Sequence, residues 1–483
     1  NGIELTKGQS VPVSGLTGLL RILCNADEEP SSMLISGYYG NVFTVINPTT
    51  GLEVIKFETG GRQRKLSHIL STSHEGKLDT SRQSIAVCAS RKDGRNELTI
   101  FSNLYSKSTD DIPLKYAHGV SLHGEPIYDA CMFTSKDDVN HFAMVSGSED
   151  CNTILSFIVG DSVIASFRLP PQESCVRAVT SSRLHESSTS LLAIGGGKVS
   201  IDFYLVQDMN VPGSCFRQEL IHIHHIGKGR TNDRTSIDHR INAVKAVPNT
   251  LMSCDETYSS SHFVVTGDSN GSIDFFIVHE NQKEQRFMIP KNHITTGDRS
   301  ILSLDVVSWE SCYLLFVGST GGEVSVWCVV PNKESSLIST FQAHQMGTNS
   351  ICTSVLNESS SSLHLLVCSV GDDQALSNFE LMLSRENHNI ITVETLSSSI
   401  TAEADISALK GVKFISQTKL ISVGYGQRVM LWSWSRSEGN QLVASVNADV
   451  CDINCLAFCE VEGRGLAGIG GEGMEIIEVY KSE

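Results

Sequence analysis

The chain carries short apolar runs that are followed by tight turns and then by alternating apolar and polar positions. The stretch FVVTGDSNGSIDFFIV, residues 263–278, is a clear example. Its first run is β-branched and suits a buried strand, and Asp268–Gly271 supplies turn chemistry because Asn and Gly tolerate positive φ. Ile273–Val278 then alternates with a period of two, so the stretch predicts a β-hairpin. An isolated hairpin cannot bury its apolar faces in water, so this one must stack on other strands.

The same hairpin pattern recurs along the whole chain. Nine copies are present, counting the one above, and each has a small residue after its first strand. The other eight begin at Met33, Ile85, Phe142, Leu191, Leu314, Leu365, Leu420 and Leu466. Further strand-like segments lie between the copies, so each repeat holds about four strands in about 50 residues. The gap between Gly195 and Gly267 reaches 72 residues and predicts a long insertion around 207–261.

Repeated four-stranded units predict the blades of an all-β propeller, and almost nothing in the chain has helical periodicity. Propellers close with about four to eight blades, so nine units predict parts of two rings. We expect a seven-bladed propeller over residues 117–483 and two blades of an incomplete preceding propeller over residues 1–116. The polar, proline-containing segment 106–119 is the expected seam between them.

Composition narrows the classes of partner. The 483 residues include 54 Asp and Glu against 37 Lys and Arg, a formal net charge of −17. Such a body repels phosphate backbones at long range, so any RNA contact must be local or made by a partner. No apolar run is long enough to span a bilayer, and the first residues lack a signal-peptide pattern. We expect no membrane and no DNA partner, and a cytoplasmic location.

The fourteen cysteines are scattered singly, without a CxxC pair. This spacing predicts buried free thiols in a reducing compartment and disfavours a metal site. The stretch IGGGKVS, residues 194–200, lacks the spacing of a phosphate loop and leads into a strand, so it predicts a hairpin turn. No nucleophile, base and acid occur at interpretable spacing, and nothing in the sequence argues for an enzyme.

The stretch HIHHIGKGRTNDRTSIDHR, residues 222–240, is the most unusual part of the chain. Only His222 and His224 share one face of a strand, which disfavours a metal site. Binding in propellers commonly resides on loops, so the cations of this stretch form a candidate RNA or partner contact. They are Lys228, Arg230, Arg234 and Arg240. The favoured alternative is a solvated loop between blades, whose charge is partly neutralised by neighbouring Asp residues.

Several residues point to one repeat family. Trp327 in VSVWCVV and Trp432 in VMLWSW suit the third-strand tryptophan of WD repeats, and His123 or His344 suits the turn histidine. The chain resembles a divergent WD-repeat protein, although it contains no Trp-Asp and no Gly-His dipeptide.

A closer resemblance covers two segments, 343–383 and 448–480. The second reads ADVCDINCLAFCEVEGRGLAGIGGEGMEIIEVY, and its Asp449, Asp452 and Gly470–Ile476 turn are similar to the C-terminal end of the WD repeat-containing protein six family. That family comprises large multi-propeller accessory subunits of a tRNA ribose 2′-O-methyltransferase. Because its members are longer, the resemblance implies that this chain is the C-terminal portion of a longer protein.

The resemblance also implies a division of labour. This chain would be a non-catalytic scaffold that binds and activates the methyltransferase subunit and positions tRNA, so that the wobble nucleotide reaches the active site. The separate subunit would carry S-adenosylmethionine and the catalytic residues, leaving this chain without a cofactor or metal. The alternative is a WD-repeat adaptor of another complex, such as a ubiquitin-ligase substrate receptor or a signalling scaffold, which would bind peptides.

Overall fold

The structure, a computed structural model, describes twenty stretches of the chain and divides it into two compact units, Asn1–Asp111 and Ile112–Glu483. The described residues are 18–23, 34–39, 42–46, 53–58, 65–70, 84–92, 95–103, 114–120, 123–134, 141–159, 162–184, 187, 189–209, 217–227, 239–249, 261–279, 294–330, 333–385, 390–461 and 464–480. All regular elements among these residues are β-strands, and none of them is a helix that could cross a membrane.

The first unit contains two antiparallel sheets, one of four strands and one of three. The strands are β1 (Gly18–Leu23), β2 (Leu34–Tyr39), β3 (Val42–Ile46), β4 (Glu53–Glu58), β5 (Lys65–Leu70), β6 (Ser84–Lys92) and β7 (Arg95–Asn103). The first two predicted hairpins are β2–β3 and β6–β7. Their assignment to a preceding propeller stays a prediction.

The second unit is a ring of seven sheets, each of which contributes one inner strand to a central channel. Each inner strand contacts those of its two neighbours, and the seventh contacts the first, so the ring is closed. The inner strands of blades 1 to 7 are β9 (Ile127–Thr134), β13 (Val176–Arg183), β17 (Ile241–Pro248), β21 (Ile301–Trp309), β25 (Thr348–Glu358), β29 (Leu409–Phe414) and β33 (Cys451–Val461).

The predicted hairpins form the second and third strands of the blades. In blades 1 to 6 the second strands are β10 (His141–Ser148), β14 (Thr189–Gly196), β18 (Ser261–Asp268), β22 (Cys312–Ser319), β26 (Ser362–Gly371) and β30 (Lys419–Gly424). The third strands are β11 (Thr153–Val159), β15 (Ser200–Met209), β19 (Ser272–His279), β23 (Glu323–Val329), β27 (Leu376–Arg385) and β31 (Arg428–Ser435). The second strands are mostly apolar throughout because both of their faces are covered by neighbouring blades.

A fourth, outer strand completes each of these blades. The outer strands are β12 (Ser162–Arg168), β16 (Arg217–Gly227), β20 (Ile294–Thr295), β24 (Ser336–Gln342), β28 (Ile391–Thr401) and β32 (Gly439–Asn447). The segment 207–261, predicted as an insertion, therefore contains the outer strand of blade 2 and the inner strand of blade 3. The extra length is taken up in part by the eleven-residue strand β16.

Blade 7 joins the two ends of the ring. The first half of β34 (Arg464–Tyr480) pairs with β33, and its second half pairs with β8 (Leu114–Val120). A Cβ added at Gly465 would lie 3.3 Å from the carbonyl oxygen of Val479, so the two halves of β34 run side by side and fold as a hairpin. The blade thus also has four strand segments, and its outer one comes from the start of the unit.

The small residue predicted after the first strand of each hairpin has a packing role. A Cβ at Gly267 would lie 2.4 Å from Cγ2 of Ile301, the first residue of the next inner strand. A Cβ at Gly470 would lie 2.7 Å from Cγ2 of Ile127 across the ring closure. Glycine at these positions leaves room for the first side chain of the next inner strand to pack against the blade. This close packing explains why a small residue recurs at this position of the repeat.

The apolar core lies between neighbouring blades rather than within one of them. One cluster joins Phe203 of blade 2 to Phe276 of blade 3, and another joins Met144 of blade 1 to Ile476 of blade 7. The predicted all-β, seven-bladed propeller is confirmed. Its unit begins at Ile112, and β8 spans the residue 117 from which we predicted the ring to start.

Candidate functional site

The inner strands place one side chain from each blade at one end of the central channel. In blades 1 to 6 the pairing register shifts immediately after the first residue of the inner strand, so the second residue is an unpaired bulge. A bulge redirects a side chain out of the regular pleat. The bulge residues are Tyr128, Arg177, Asn242, Leu302, Asn349 and Lys410, and Asn454 lies within the register shift of blade 7.

These seven side chains line a cavity of about 580 Å³, which we call the channel mouth. Arg240, Ser269 and Tyr425 complete its lining. Arg240 precedes β17, where its N–H donates to Oγ of Ser269 at 3.0 Å and its carbonyl accepts from the N–H of Ser269 at 2.8 Å. The mouth therefore includes one member of the predicted basic contact. The other three, Lys228, Arg230 and Arg234, lie outside the described residues.

The lining of the mouth contains three cations, Arg177, Arg240 and Lys410, and no carboxylate. The guanidinium of Arg177 lies 3.8 Å from the ring centre of Tyr128, in cation–π geometry. Lys410 is paired just behind the lining, where its Nζ lies 2.6 Å from Oδ1 of Asp372. Burial disfavours the charged form of Asp372, but hydrogen bonds from Lys410 and Asn349 outweigh it and hold the pKa of Asp372 below its usual value.

Two tyrosines give the mouth aromatic surfaces of different character. Tyr128 is held in place because its hydroxyl donates to Oε2 of Glu149 at 2.7 Å, and burial followed by this bond raises the pKa of Tyr128. Tyr425 is 42% exposed, and its hydroxyl lies 3.1 Å from Oδ1 of Asn454. Nζ of Lys410 lies 4.8 Å from the ring centre of Tyr425, so this cation covers one face of the ring and a planar group can stack on the other.

Below the mouth the channel continues as a polar cavity of about 340 Å³. Lys245 of blade 3 lies there within 2.7 Å of Asp305, and Asp129 of blade 1 accepts the N–H of Val179 at 2.8 Å. Burial raises the pKa of Asp129 to about 6. The hydrogen bond from Val179 and the positive charges of Lys413 and Lys245 act in the opposite direction. These groups link the inner strands of neighbouring blades and line the floor of the mouth.

The two predicted turn histidines make similar contacts in blades 1 and 5. Nε2 of His123 lies 2.8 Å from Oγ of Ser146, and its Nδ1 faces Asp150 at 3.3 Å. Nε2 of His344 lies 2.9 Å from Oγ of Ser369, and its Nδ1 faces Asp373 at 3.0 Å. Each histidine therefore ties the loop before an inner strand to the turn after the second strand. The role of these histidines is to fix the loops of one face.

The predicted tryptophans lie on third strands. Nε1 of Trp327 donates to Oγ of Ser325 at 2.9 Å, and Nε1 of Trp432 donates to Oγ of Ser422 at 2.9 Å. The IGGGKVS stretch forms a turn between β14 and β15 in which Lys198 and Val199 have φ of 58° and 50°. The hairpin prediction for this stretch is confirmed.

The histidine-rich stretch is built differently from the predicted loop. Residues 222–227 belong to β16, and Nε2 of His222 lies 3.0 Å from Oδ1 of Asp202 on the neighbouring strand. Across the described part of the chain, no three His, Cys, Asp or Glu side chains are grouped so as to hold a metal ion. The cysteines described there are free thiols.

The outer strands of blades 4, 5 and 6 expose apolar side chains next to one another. These three neighbouring strands, β24, β28 and β32, carry a single charged residue, Glu394. The exposed apolar residues on or beside them, which we call the apolar rim, are Leu337, Ile390, Ile400, Leu442 and Val443. Outer strands are commonly protected by charges, so an apolar rim whose strands carry only Glu394 is a candidate protein-binding surface.

Comparison with known proteins finds matches among solved structures alone. No protein-family model and no curated protein matches the sequence. Among solved structures, the WD40 β-propeller domain of Doa1 is 15% identical with a TM-score of 0.47 over 76% of this chain and 97% of that chain. The RRP9 WD40 repeats are 16% identical with a TM-score of 0.49 over 76% and 97%, and U3-55K is 16% identical with a TM-score of 0.49 over 76% and 98%. The seven-bladed fold is established by the sheets of the chain itself.

Proposed function

We propose that the protein is a non-catalytic WD-repeat scaffold that binds and activates a tRNA ribose 2′-O-methyltransferase acting on the anticodon wobble nucleotide. The observation that carries this proposal is the apolar rim, which offers a protein subunit exposed apolar side chains on strands that carry a single charge. A ring of stacked blades is a rigid support, and rigid supports suit the holding of partners at fixed positions.

The choice of partner rests on the resemblance of segments 343–383 and 448–480 to the accessory-subunit family. The first covers the opening loop and three strands of blade 5, and the second covers most of blade 7. Asp449 and the Gly470–Ile476 turn contribute to blade 7 itself, since the N–H of Asp449 donates to Oε2 of Glu475 at 2.8 Å. The residues that carry the resemblance therefore build blades 5 and 7. The resemblance supports a methyltransferase partner because related propellers can keep the same partner.

The activation we propose is positional. The methyltransferase subunit supplies S-adenosylmethionine and the reacting groups, and the scaffold holds this subunit and the tRNA together. Holding two reactants in a productive arrangement raises their effective concentration and removes part of the entropic barrier. The acidic net charge of −17 suits an accessory subunit that contacts RNA only at a local cationic site.

The proposal is tested by the wobble-nucleotide 2′-O-methylation profile of tRNA from cells that lack the full-length protein. We expect loss of the mark on a subset of tRNAs and its return on re-expression. An unchanged profile would refute the methyltransferase assignment and leave a scaffold for other partners.

The docking surface is tested by capture from cell extracts with the tagged full-length protein. We expect capture of a small methyltransferase of Rossmann type, and loss of that capture in Leu337→Glu and Leu442→Glu. The matched control is Phe167→Glu, because Phe167 is equally exposed on the outer strand of blade 1, away from the rim. Capture of ubiquitin-ligase components instead would favour the adaptor alternative.

A further inference from the structure

The channel mouth departs from the charge of the rest of the molecule. The chain carries 54 acidic against 37 basic side chains, yet the ten residues that line the mouth include three cations and no acid. Glu149 and Asp372 are engaged by Tyr128 and Lys410 behind the lining, and Asp129 lines the cavity below the mouth, where it accepts the N–H of Val179. The balance at the opening is therefore positive, and its excess charge comes from Arg177 and Arg240.

Neither arginine is neutralised by a neighbour. Among the described residues, neither Arg177 nor Arg240 makes an ion pair, and their side chains donate no hydrogen bond. Nε of Arg177 is also shielded from solvent without an acceptor. A shielded guanidinium donor without an acceptor is costly, and an anion entering the mouth would satisfy it. Tyr128 holds the guanidinium at the opening by stacking, so the donor is pre-positioned.

The other lining groups suit a nucleotide better than an acidic peptide. Tyr425 exposes its ring at the edge of the cavity, where a base can stack. Nδ2 of Asn242 donates to Ser300 and Nδ2 of Asn349 donates to Asp372, so these two side chains offer their amide oxygens to the edge of an unpaired base. Asn454 accepts the Tyr425 hydroxyl and offers its Nδ2 group. The volume of about 580 Å³ lies within the usual range of ligand cavities, which is about 300–1,000 Å³.

We propose that the channel mouth binds an unpaired nucleotide of single-stranded RNA, with Arg177 and Arg240 donating to its phosphate and Tyr425 stacking on its base. This inference rests on the proposed function, because it takes tRNA as the source of the RNA. The planar guanidinium group of arginine can donate to two phosphate oxygens at once, so it fixes the orientation of the phosphate as well as neutralising its charge. A cavity of about 580 Å³ has room for a single nucleotide but not for a base-paired helix, so the site should select loops and ends.

The test measures fluorescence anisotropy of a labelled RNA stem–loop titrated with the full-length protein, without any methyltransferase, at several salt concentrations. We expect Arg177→Met and Arg240→Met each to weaken binding by about 5- to 10-fold. The double variant should lower the salt slope by about 0.7, the value for one phosphate contact on a single strand, because both arginines donate to the same phosphate. Arg177→Lys should keep the slope of the wild-type protein but only part of its affinity. Lys333→Met is the matched control, since exposed Lys333 lies in the loop between β23 and β24, at the opposite end of the channel.

Competitors separate the possible sources of the anion. A fully paired RNA duplex and a poly-glutamate peptide should compete poorly, and inorganic phosphate should compete only at high concentration. Equal competition by poly-glutamate would overturn the proposal in favour of an acidic peptide. It would also be overturned if the wild-type protein failed to bind the stem–loop or if both arginine variants bound it normally.

The same variants distinguish this inference from the proposed function. If Arg177→Met and Arg240→Met bind RNA normally while cells lacking the protein lose wobble methylation, the mouth assignment fails and the scaffold function stands. If they lose RNA binding while the methylation profile of the null cells is unchanged, the mouth binds RNA and the methyltransferase function fails. A melting temperature equal to that of the wild-type protein is required of both variants, and exposed Arg240 provides the variant least coupled to folding.

Discussion

Nζ of Lys245, on the inner strand of blade 3, lies 2.7 Å from Oδ1 of Asp305, on the inner strand of blade 4. The other carboxylate oxygen accepts the N–H and the hydroxyl of Thr353 in blade 5, at 2.8 and 2.7 Å. One carboxylate therefore links three consecutive blades across the channel wall. The attraction of Asp305 raises the pKa of Lys245, and the pKa of Asp305 is lowered because its partners outweigh its burial.

Replacing Asp305 should weaken the ring. Asp305→Asn leaves Lys245 without its counter-charge, and breaking a buried pair costs about 3–5 kcal/mol. Because the side chain of Lys245 keeps 30% of its surface exposed to the channel, we expect a loss of only about 1–3 kcal/mol in the free energy of unfolding. Urea denaturation at pH 7 measures it. Glu173→Gln, at the exposed Lys198 pair, is the control and should change stability by less than about 0.5 kcal/mol.

Glu475 should make stability fall with rising pH. It is buried in blade 7, and burial raises its pKa from 4.5 to about 8. The folded state then holds a proton that the unfolded state releases between these values, so the free energy of unfolding decreases as pH rises through this window, by up to about 5 kcal/mol. Urea denaturation at pH 7 and pH 9 measures the change in the free energy of unfolding. Both values lie above the pKa of Asp129, which is about 6, so its titration contributes little to the difference. Glu475→Gln should flatten this dependence, and an equal slope in both proteins would refute it.

The repeat was readable from the sequence because each hairpin combines a local turn signal with a strand of period two. The positions near Gly267 and Gly470 could be located for the same reason, although their cause, the close approach of the next inner strand, required the structure. The end of the ring was harder to predict. Strand β8 belongs to blade 7, and its pairing with β34 joins segments that are more than 300 residues apart.

The site was predicted only in part. Arg240 was identified from its charge, but Arg177 and Lys410 stand alone in strand-like segments, where a single cation reads as a solvent-facing residue. They converge because a bulge recurs at the same position of successive inner strands. The sequence signal for these positions is a polar or large residue directly after the first residue of an inner strand. A single such residue predicts nothing by itself, because only the ring of blades brings these positions together at one end of the channel.

Glu380 should hold blades 5 and 6 together above acidic pH. Its carboxylate accepts hydrogen bonds from Arg436 of blade 6, from Ser397 at 2.8 Å and from His364 at 2.8 Å. The hydrogen bond from Arg436 is the main cause that lowers the pKa of Glu380 from 4.5 to about 2. The stabilisation is present above pH 4.5 and is lost as the pH falls towards 2.

Glu380→Gln should therefore lower the melting temperature by about 2–4 °C at pH 7, and the difference should shrink below pH 4. Differential scanning calorimetry at both pH values measures it. Glu394→Gln is the matched control, because Glu394 is exposed on the outer strand of the same blade. A difference that persists at low pH would show that packing, and not charge, stabilises this contact.

His344 should stabilise the face of the mouth in its neutral form. The carboxylate of Asp373 can only accept, so Nδ1 of His344 carries the proton and Nε2 accepts the hydroxyl of Ser369. Burial lowers the pKa of His344 even though Asp373 opposes it. The unfolded state takes up a proton first as pH falls below 6.5, so stability decreases on acidification.

We expect His344→Ala to cost about 2–3 kcal/mol at pH 7, because Ser369 and Asp373 each lose a hydrogen bond in a buried place. Ser369→Ala removes a single bond and should cost about 1 kcal/mol. Urea denaturation at pH 7 and pH 5.5 compares these variants with the wild type, and His344→Ala should lose less on acidification. A loss as steep as that of the wild type would exclude His344 as a source of the pH dependence.

The ring should depend on β8 for closure. A chain beginning at Ile112 retains all six backbone pairs between β8 and β34, from Leu114↔Val479 to Val120↔Met474. A chain beginning at residue 117 keeps the pairs of His118, Gly119 and Val120, and a chain beginning at residue 121 keeps none. Because an open ring exposes the edge of β34 and the apolar contact of blade 7 with blade 1, thermal stability should fall in that order. Calorimetry of the three chains measures the ranking, with a single cooperative transition expected for the longest. Equal stability of the first and third chains would mean that blade 7 is complete without its outer strand.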